Sequence, residues 1–119
     1  MSNPQKRKGV AFESLIRDYL RAHGHDVART IAGAENDEGD LHGLRIRGNA
    51  IAIECKNHQK MALAQWVEEA KREAENAHAA LGIVVHKRRG KGAAGEQYVT
   101  LRLEDLMTLL DMIGDGNGN

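Results

Sequence analysis

Ile51-Ala-Ile-Glu-Cys-Lys56 is a short apolar run with β-branched residues, ending on two charges. Such a run reads as a β-strand. Side chains alternate faces along a strand, so Glu54 and Lys56 point one way and Cys55 the other. A carboxylate and an ammonium rarely sit at the end of an apolar strand unless they are paired or bound to something. Taken alone, the pair is either an ion pair on a sheet edge or part of a binding site.

Immediately upstream, Gly39-Asp40-Leu-His-Gly-Leu44 offers another carboxylate. The segments 40–46 and 50–56 read as an antiparallel hairpin around Arg47-Gly-Asn49. A two-residue turn at Gly48-Asn49 would put Asp40 on the face away from Glu54, and a three-residue turn would put Asp40, His42, Glu54 and Lys56 on one face. For the carboxylates to work together, the connection must have three residues or include a bulge near Asp40.

Residues 9–23 carry an apolar stripe at helical spacing, Phe12, Leu15, Ile16, Tyr19 and Leu20, with Glu13 at its margin. From spacing alone, Glu13 is either a solvated partner of Arg17 or a residue beside the core facing the sheet edge. Val27 to Ile31 reads as a first strand, and 32–39 as an acidic loop. That loop is a flap, a source of an outer metal ligand, or solvated. Residues 61–80 form a helix with Leu63, Val67, Ala70, Ala74, Ala77 and Leu81 as the expected buried stripe. Glu68, Glu69, Glu73 and Glu75 are then expected on a solvated face. Strands at 82–86 and 97–101 and a helix striped by Leu103, Leu106, Met107, Leu110 and Ile113 complete the chain.

The length of 119 residues suits one domain. The chain is expected to divide into a basic flexible arm at 1–8, a single domain at 9–113 and a disordered tail at 114–119. Seventeen Lys and Arg balance seventeen Asp and Glu, which argues against a globally basic nucleic-acid binder. A DNA surface then requires local segregation of charge. The one Cys leaves no intrachain disulfide or Cys-based zinc site. With no apolar run near membrane-spanning length, a cytoplasmic location without membrane contact is expected.

Lys8-Gly-Val-Ala-Phe-Glu13, Leu20-Arg-Ala-His-Gly-His-Asp-Val27, Gly39-Asp40-Leu41 and Ile53-Glu54-Cys55-Lys56, in this order, resemble the PD-(D/E)XK nuclease superfamily. Within it they are similar to the archaeal-type Holliday junction resolvases (the Hjc group) and their phage relatives, over roughly residues 6 to 86. The acidic loop departs from that pattern. The resemblance implies an α/β restriction-endonuclease-like core, a central mixed five-stranded sheet flanked by helices. It implies Mg²⁺ or Mn²⁺ held by Asp40, Glu54 and the Cys55 carbonyl, with Glu13 a ligand directly or through water. Lys56 would orient water or stabilise developing negative charge; His42 stays outside the catalytic set. The implied partner is a four-way junction or other branched DNA, cut by a homodimer whose two sites make two cuts. Lys6, Arg7, Lys8, Lys87, Arg88, Arg89 and Lys91 are the candidate DNA contacts, since phosphate affinity comes mainly from such cations. A nuclease of the same fold with another task, such as restriction or flap cleavage, and a catalytically silent DNA-binding module are the alternatives.

Overall fold

The computed structural model describes residues 3–30 and 39–114. The expected acidic loop and the tail therefore lie almost wholly outside the described residues. The elements run α1 (Pro4–Ala22), β1 (Ala28–Arg29), β2 (Leu41–Ile46), β3 (Asn49–Lys56), α2 (Leu63–Asn76), β4 (Leu81–His86), a short 3-10 turn (Ala94–Glu96), β5 (Tyr98–Thr100) and α3 (Leu103–Gly114). The strands form one mixed sheet in the order β1-β2-β3-β4-β5. Every neighbouring pair is antiparallel except β3 and β4, which are parallel and joined through α2. Parallel neighbours need a crossover, and α2 supplies it.

The odd-numbered residues of β3 and β4 face α1 and α3. Phe12 and Ile16 of α1 pack with Leu41, Ile53, Cys55 and Val85, and Met112 of α3 packs with Ile51 and Leu81. The other face meets α2 through Trp66, Ala70 and Val84. Trp66 is thus a packing residue. The sheet is covered on both sides over β3 and β4, which explains the near-continuous apolar sequence of these strands.

Two features depart from the sequence reading. Helix α1 begins at Pro4 rather than at residue 9. Asn3 caps it by accepting the Gln5 N–H at 2.8 Å, and a proline in the first turn lacks only an N–H that would have no helical partner. Lys6, Arg7 and Lys8 therefore sit exposed on helix, not on a flexible arm. In α2 the buried side chains are Trp66, Ala70, Glu73 and Ala74, whereas Leu63 is exposed. The buried sector is turned toward Trp66, and it takes Glu73 into the interior.

The hairpin between β2 and β3 turns over two residues, Arg47-Gly48, with Ile46 opposite Asn49. Both turn residues have positive φ, 50° and 82°, as the tight turn that matches strand twist requires. Carried straight through, that register would set Asp40 opposite Cys55, on the α1 face. Instead the ladder shifts between Leu41 and Leu44, and Leu41 lies opposite Ile53. One residue further, the Asp40 N–H also donates to the Ile53 carbonyl, at 2.9 Å. Asp40 and Leu41 thus both lie against Ile53, two residues against one, as in a bulge. A bulge near Asp40 thus does what a longer turn would have done.

Gly43 makes the bulge possible. Its φ is 103°, and a Cβ there would lie 2.2 Å from the Asp26 carbonyl oxygen. On the other face, a Cβ on Gly82 of β4 would meet the Ala70 carbonyl oxygen of α2 at 2.2 Å. Helix and sheet are in close approach at that point.

Gly43→Ala should lower unfolding stability by roughly 2 kcal/mol or more, because it combines left-handed strain with a backbone clash. Urea unfolding measures this. An unchanged midpoint would mean that the bulge relaxes without cost.

Candidate active site

The site lies at the carboxyl end of β3. Asp40 enters from the start of β2 and Glu54 and Lys56 from β3, on the face covered by α2. Glu54 is buried, and Asp40 and Lys56 are half-buried. One Asp40 oxygen, Oδ2, accepts the Cys55 backbone N–H at 2.7 Å. Its carboxyl group is also hydrogen-bonded to that of Glu54. Lys56 Nζ lies 3.2 Å from Glu54 Oε2 and 2.9 Å from Glu69 Oε2.

Helix α2 runs back over β3, antiparallel to it. Four helical residues advance about 6 Å, and two strand residues advance about 6.6 Å. The two repeats therefore stay in step: Glu69 meets Lys56, and Glu73, one turn on, meets Glu54. Carboxylate oxygens of Glu54, Glu69 and Glu73 all lie within 4.8 Å of one another. Gln65, one turn earlier, donates to Glu69 Oε1 at 3.3 Å. Glu69 and Glu73 were expected on a solvated face; Glu73 is instead 1% exposed and Glu69 half-buried. The available signal was the i, i+4, i+8 series Gln65, Glu69, Glu73, interleaved with the small and aromatic residues that α2 buries.

Glu13 projects from α1. Its partner is Arg29, whose Nε donates to Glu13 Oε1 at 3.1 Å; Arg17 pairs with Asp18 instead. Burial and then the nearby Asp40 charge raise the Glu13 pKa, partly offset by Arg29. Glu13 thus shares the electrostatic field of Asp40 from the α1 side. His42 lies in the bulge, exposed, with Nδ1 3.3 Å from Thr30 Oγ1. His86 is opposite Lys56 in the parallel register, bonded to Thr100 Oγ1 at 2.8 Å, and burial lowers its pKa.

Of the basic candidates, Lys87 follows β4 directly, and its N–H donates to the Lys56 carbonyl at 3.0 Å. The 87–91 run thus leaves the sheet beside the site. Lys6, Arg7 and Lys8 lie in the first turns of α1, more than a helical turn before Glu13.

Carboxyl groups this close cannot all ionise unaided. Burial, then the charge and hydrogen bond of Glu54, raise Asp40 to about 7. Burial, with the hydrogen bond and charge of Glu73, raises Glu54 to about 8, although the Asp40 hydrogen bond and Lys56 pull the other way. Burial alone would lower Lys56, but Glu69 and Glu54 more than offset it and hold the ammonium charged. A buried set of hard oxygen donors with excess negative charge fits a small divalent cation.

Residues 5–113 match the model of the Mrr_cat family, described as restriction endonuclease. The chain belongs to this restriction endonuclease family. It is a family of PD-(D/E)XK-type nucleases, and the mixed sheet with flanking helices is the restriction-endonuclease-like fold. No curated protein gave a match. As a nuclease domain of this family the chain acts on DNA. No helix among the described residues is long and apolar enough to cross a membrane.

The raised carboxyls have a consequence for stability. Between the ordinary carboxylate values of 3.8 and 4.5 and the folded values of about 7 and about 8, the folded chain holds protons that the unfolded chain has released. Unfolding then releases protons, so stability must fall as pH rises through this window. The slope approaches about 1.4 kcal/mol per pH unit for each group fully shifted. Urea unfolding across pH without divalent cations measures it. Asp40→Asn with Glu54→Gln should flatten the profile; a profile that is already flat in the unaltered protein would contradict the coupled burial.

Proposed function

We propose that the protein is a Mg²⁺- or Mn²⁺-dependent DNA endonuclease that cleaves branched DNA, the four-way junction above all, by phosphodiester hydrolysis. The observation that carries the nuclease reading is the meeting of Asp40, Glu54 and Lys56 on one face at one strand end. The four motifs shared with the junction resolvases support the branched substrate.

Asp40 and Glu54 would hold the cation, with the Cys55 carbonyl and with Glu13 directly or through water. Glu73, against Glu54, adds a carboxylate to the same cluster. A divalent ion there supplies Lewis acidity and positive charge at the scissile phosphate. Lys56, fixed between Glu54 and Glu69, orients the attacking water or stabilises the charge that develops on phosphate oxygens. A homodimer would supply the second site for a paired cut. Lys6, Arg7, Lys8 and the 87–91 run would contribute phosphate contacts.

A second reading, cleavage of linear duplex DNA, is favoured by the family match over residues 5–113. The retained carboxylates and lysine count against a catalytically silent module.

Mg²⁺-dependent cleavage of a four-way junction should exceed that of a linear duplex of the same sequence. Equal rates would favour the duplex reading, and no cleavage of either would remove the enzyme. Asp40→Asn or Glu54→Gln should reduce cleavage by at least about a thousandfold, the scale expected for loss of a principal electrostatic group. DNA binding should be retained or strengthened, as negative charge facing phosphate is removed. A variant that cuts at the unaltered rate would exclude that residue from the site.

A further inference from the structure

The 87–97 segment is a built loop. Gln97 is 8% exposed and all three of its amide positions are used. Its Oε1 accepts the Arg88 backbone N–H at 2.7 Å. Its Nε2 donates to the Lys91 carbonyl at 2.9 Å and to the Ala93 carbonyl at 2.8 Å. One acceptor and two donors are what a primary amide offers, so no isosteric residue can replace it.

The loop's cations divide into two sets. Lys87 turns inward and donates to the Arg88 carbonyl at 2.7 Å and to the Lys91 carbonyl. Arg88 donates to the Glu96 carbonyl at 3.1 Å and pairs with Glu96 Oε2 at 3.2 Å, with its guanidinium 4.3 Å from the Tyr98 ring centroid. These two brace the loop. Arg89 and Lys91 flank Gly90, whose φ is 78°, and both are exposed. Among the described residues neither side chain forms an ion pair. The carbonyls of Arg88, Lys91, Ala93 and Glu96 are engaged within the loop, which leaves Arg89 and Lys91 as its exposed cations. The segment starts at the Lys87 N–H bonded to the Lys56 carbonyl, which ties the rim to the strand end bearing the catalytic lysine.

We propose that Gln97 is a positioning residue that sets Arg89 and Lys91 as a two-point clamp on the DNA phosphate backbone next to the cleavage site. The proposal rests on the DNA endonuclease reading and deepens it. It also divides the basic run: Arg89 and Lys91 touch phosphate, while Lys87 and Arg88 hold the loop.

The test is binding of the full chain to a linear duplex over a salt series in metal-free buffer. Each lost phosphate contact should lower the slope of log affinity against log salt by about 0.9. Arg89→Ala with Lys91→Ala should therefore flatten the slope by about 2. Gln97→Glu keeps the acceptor for Arg88 but turns a carboxylate oxygen toward two carbonyls. It should weaken binding about tenfold and flatten the slope in the same direction. Added to the double alanine variant, it should cause little further loss, because its contacts are already gone. In cleavage assays its effect should fall on KM rather than kcat.

An unaltered slope in the double alanine variant overturns the clamp, whether or not Gln97→Glu folds. Full multiplication of the two effects, or a loss confined to kcat, overturns the positioning role. Failure of the unaltered protein to bind DNA would instead sink the endonuclease reading itself.

Discussion

Residues facing one another across an antiparallel pair point to the same side of the sheet, and one inserted residue reverses this for everything beyond it. The bulge between Leu41 and Leu44 is such an insertion. On its hairpin side, Leu44 and Ile46 face the α1 and α3 layer. Beyond it, Leu41 faces the same layer, so Asp40 is delivered to the opposite one, beside Glu54. The apolar demand of the core and the polar demand of the site are met by the same irregularity. Gly43 can adopt the necessary backbone conformation without a side chain against Asp26.

Once Asp40 and Glu54 are together, electrostatics dominates their surroundings. One buried and one half-buried carboxyl, with Glu73 behind them, hold protons well above the ordinary range. One ammonium, Lys56, is shared between Glu54 and Glu69. One cation among this many carboxyl groups leaves the cluster short of positive charge. Without a metal the shortage is relieved by protonation; a divalent ion would relieve it by displacing those protons. The same groups therefore link cation affinity, pH and stability.

The strand at 51–56, the helix–strand order and the convergence of Asp40, Glu54 and Lys56 were legible because each is carried by local pattern. The apolar run fixes β3, and the alternation of side chains fixes which of its residues share a face. The bulge was legible only as a condition, since a two-residue turn and a three-residue turn give different faces from the same residues. Glu69 and Glu73 were hidden for another reason. In a helix containing Glu68, Glu69, Glu73 and Glu75, hydropathy marks every one as solvated. The angle at which α2 crosses β3 decides which two are not, and that angle is a tertiary property. The start of α1 is set by Asn3-Pro4, a start signal independent of the apolar stripe that begins at Phe12.

The contact between Gly82 and Ala70 fixes the height of α2 above the sheet. A hydrogen atom on Gly82 and a methyl on Ala70 leave almost no spacer between the layers. Glu69 and Glu73 reach Lys56 and Glu54 with side chains of fixed length, so their reach is calibrated to that narrow gap. The candidate site is thus gauged from a point where neither residue belongs to the cluster. A bulkier residue at position 82 would act as a shim, lifting the helix and opening the carboxylate cluster while leaving every one of its residues in place.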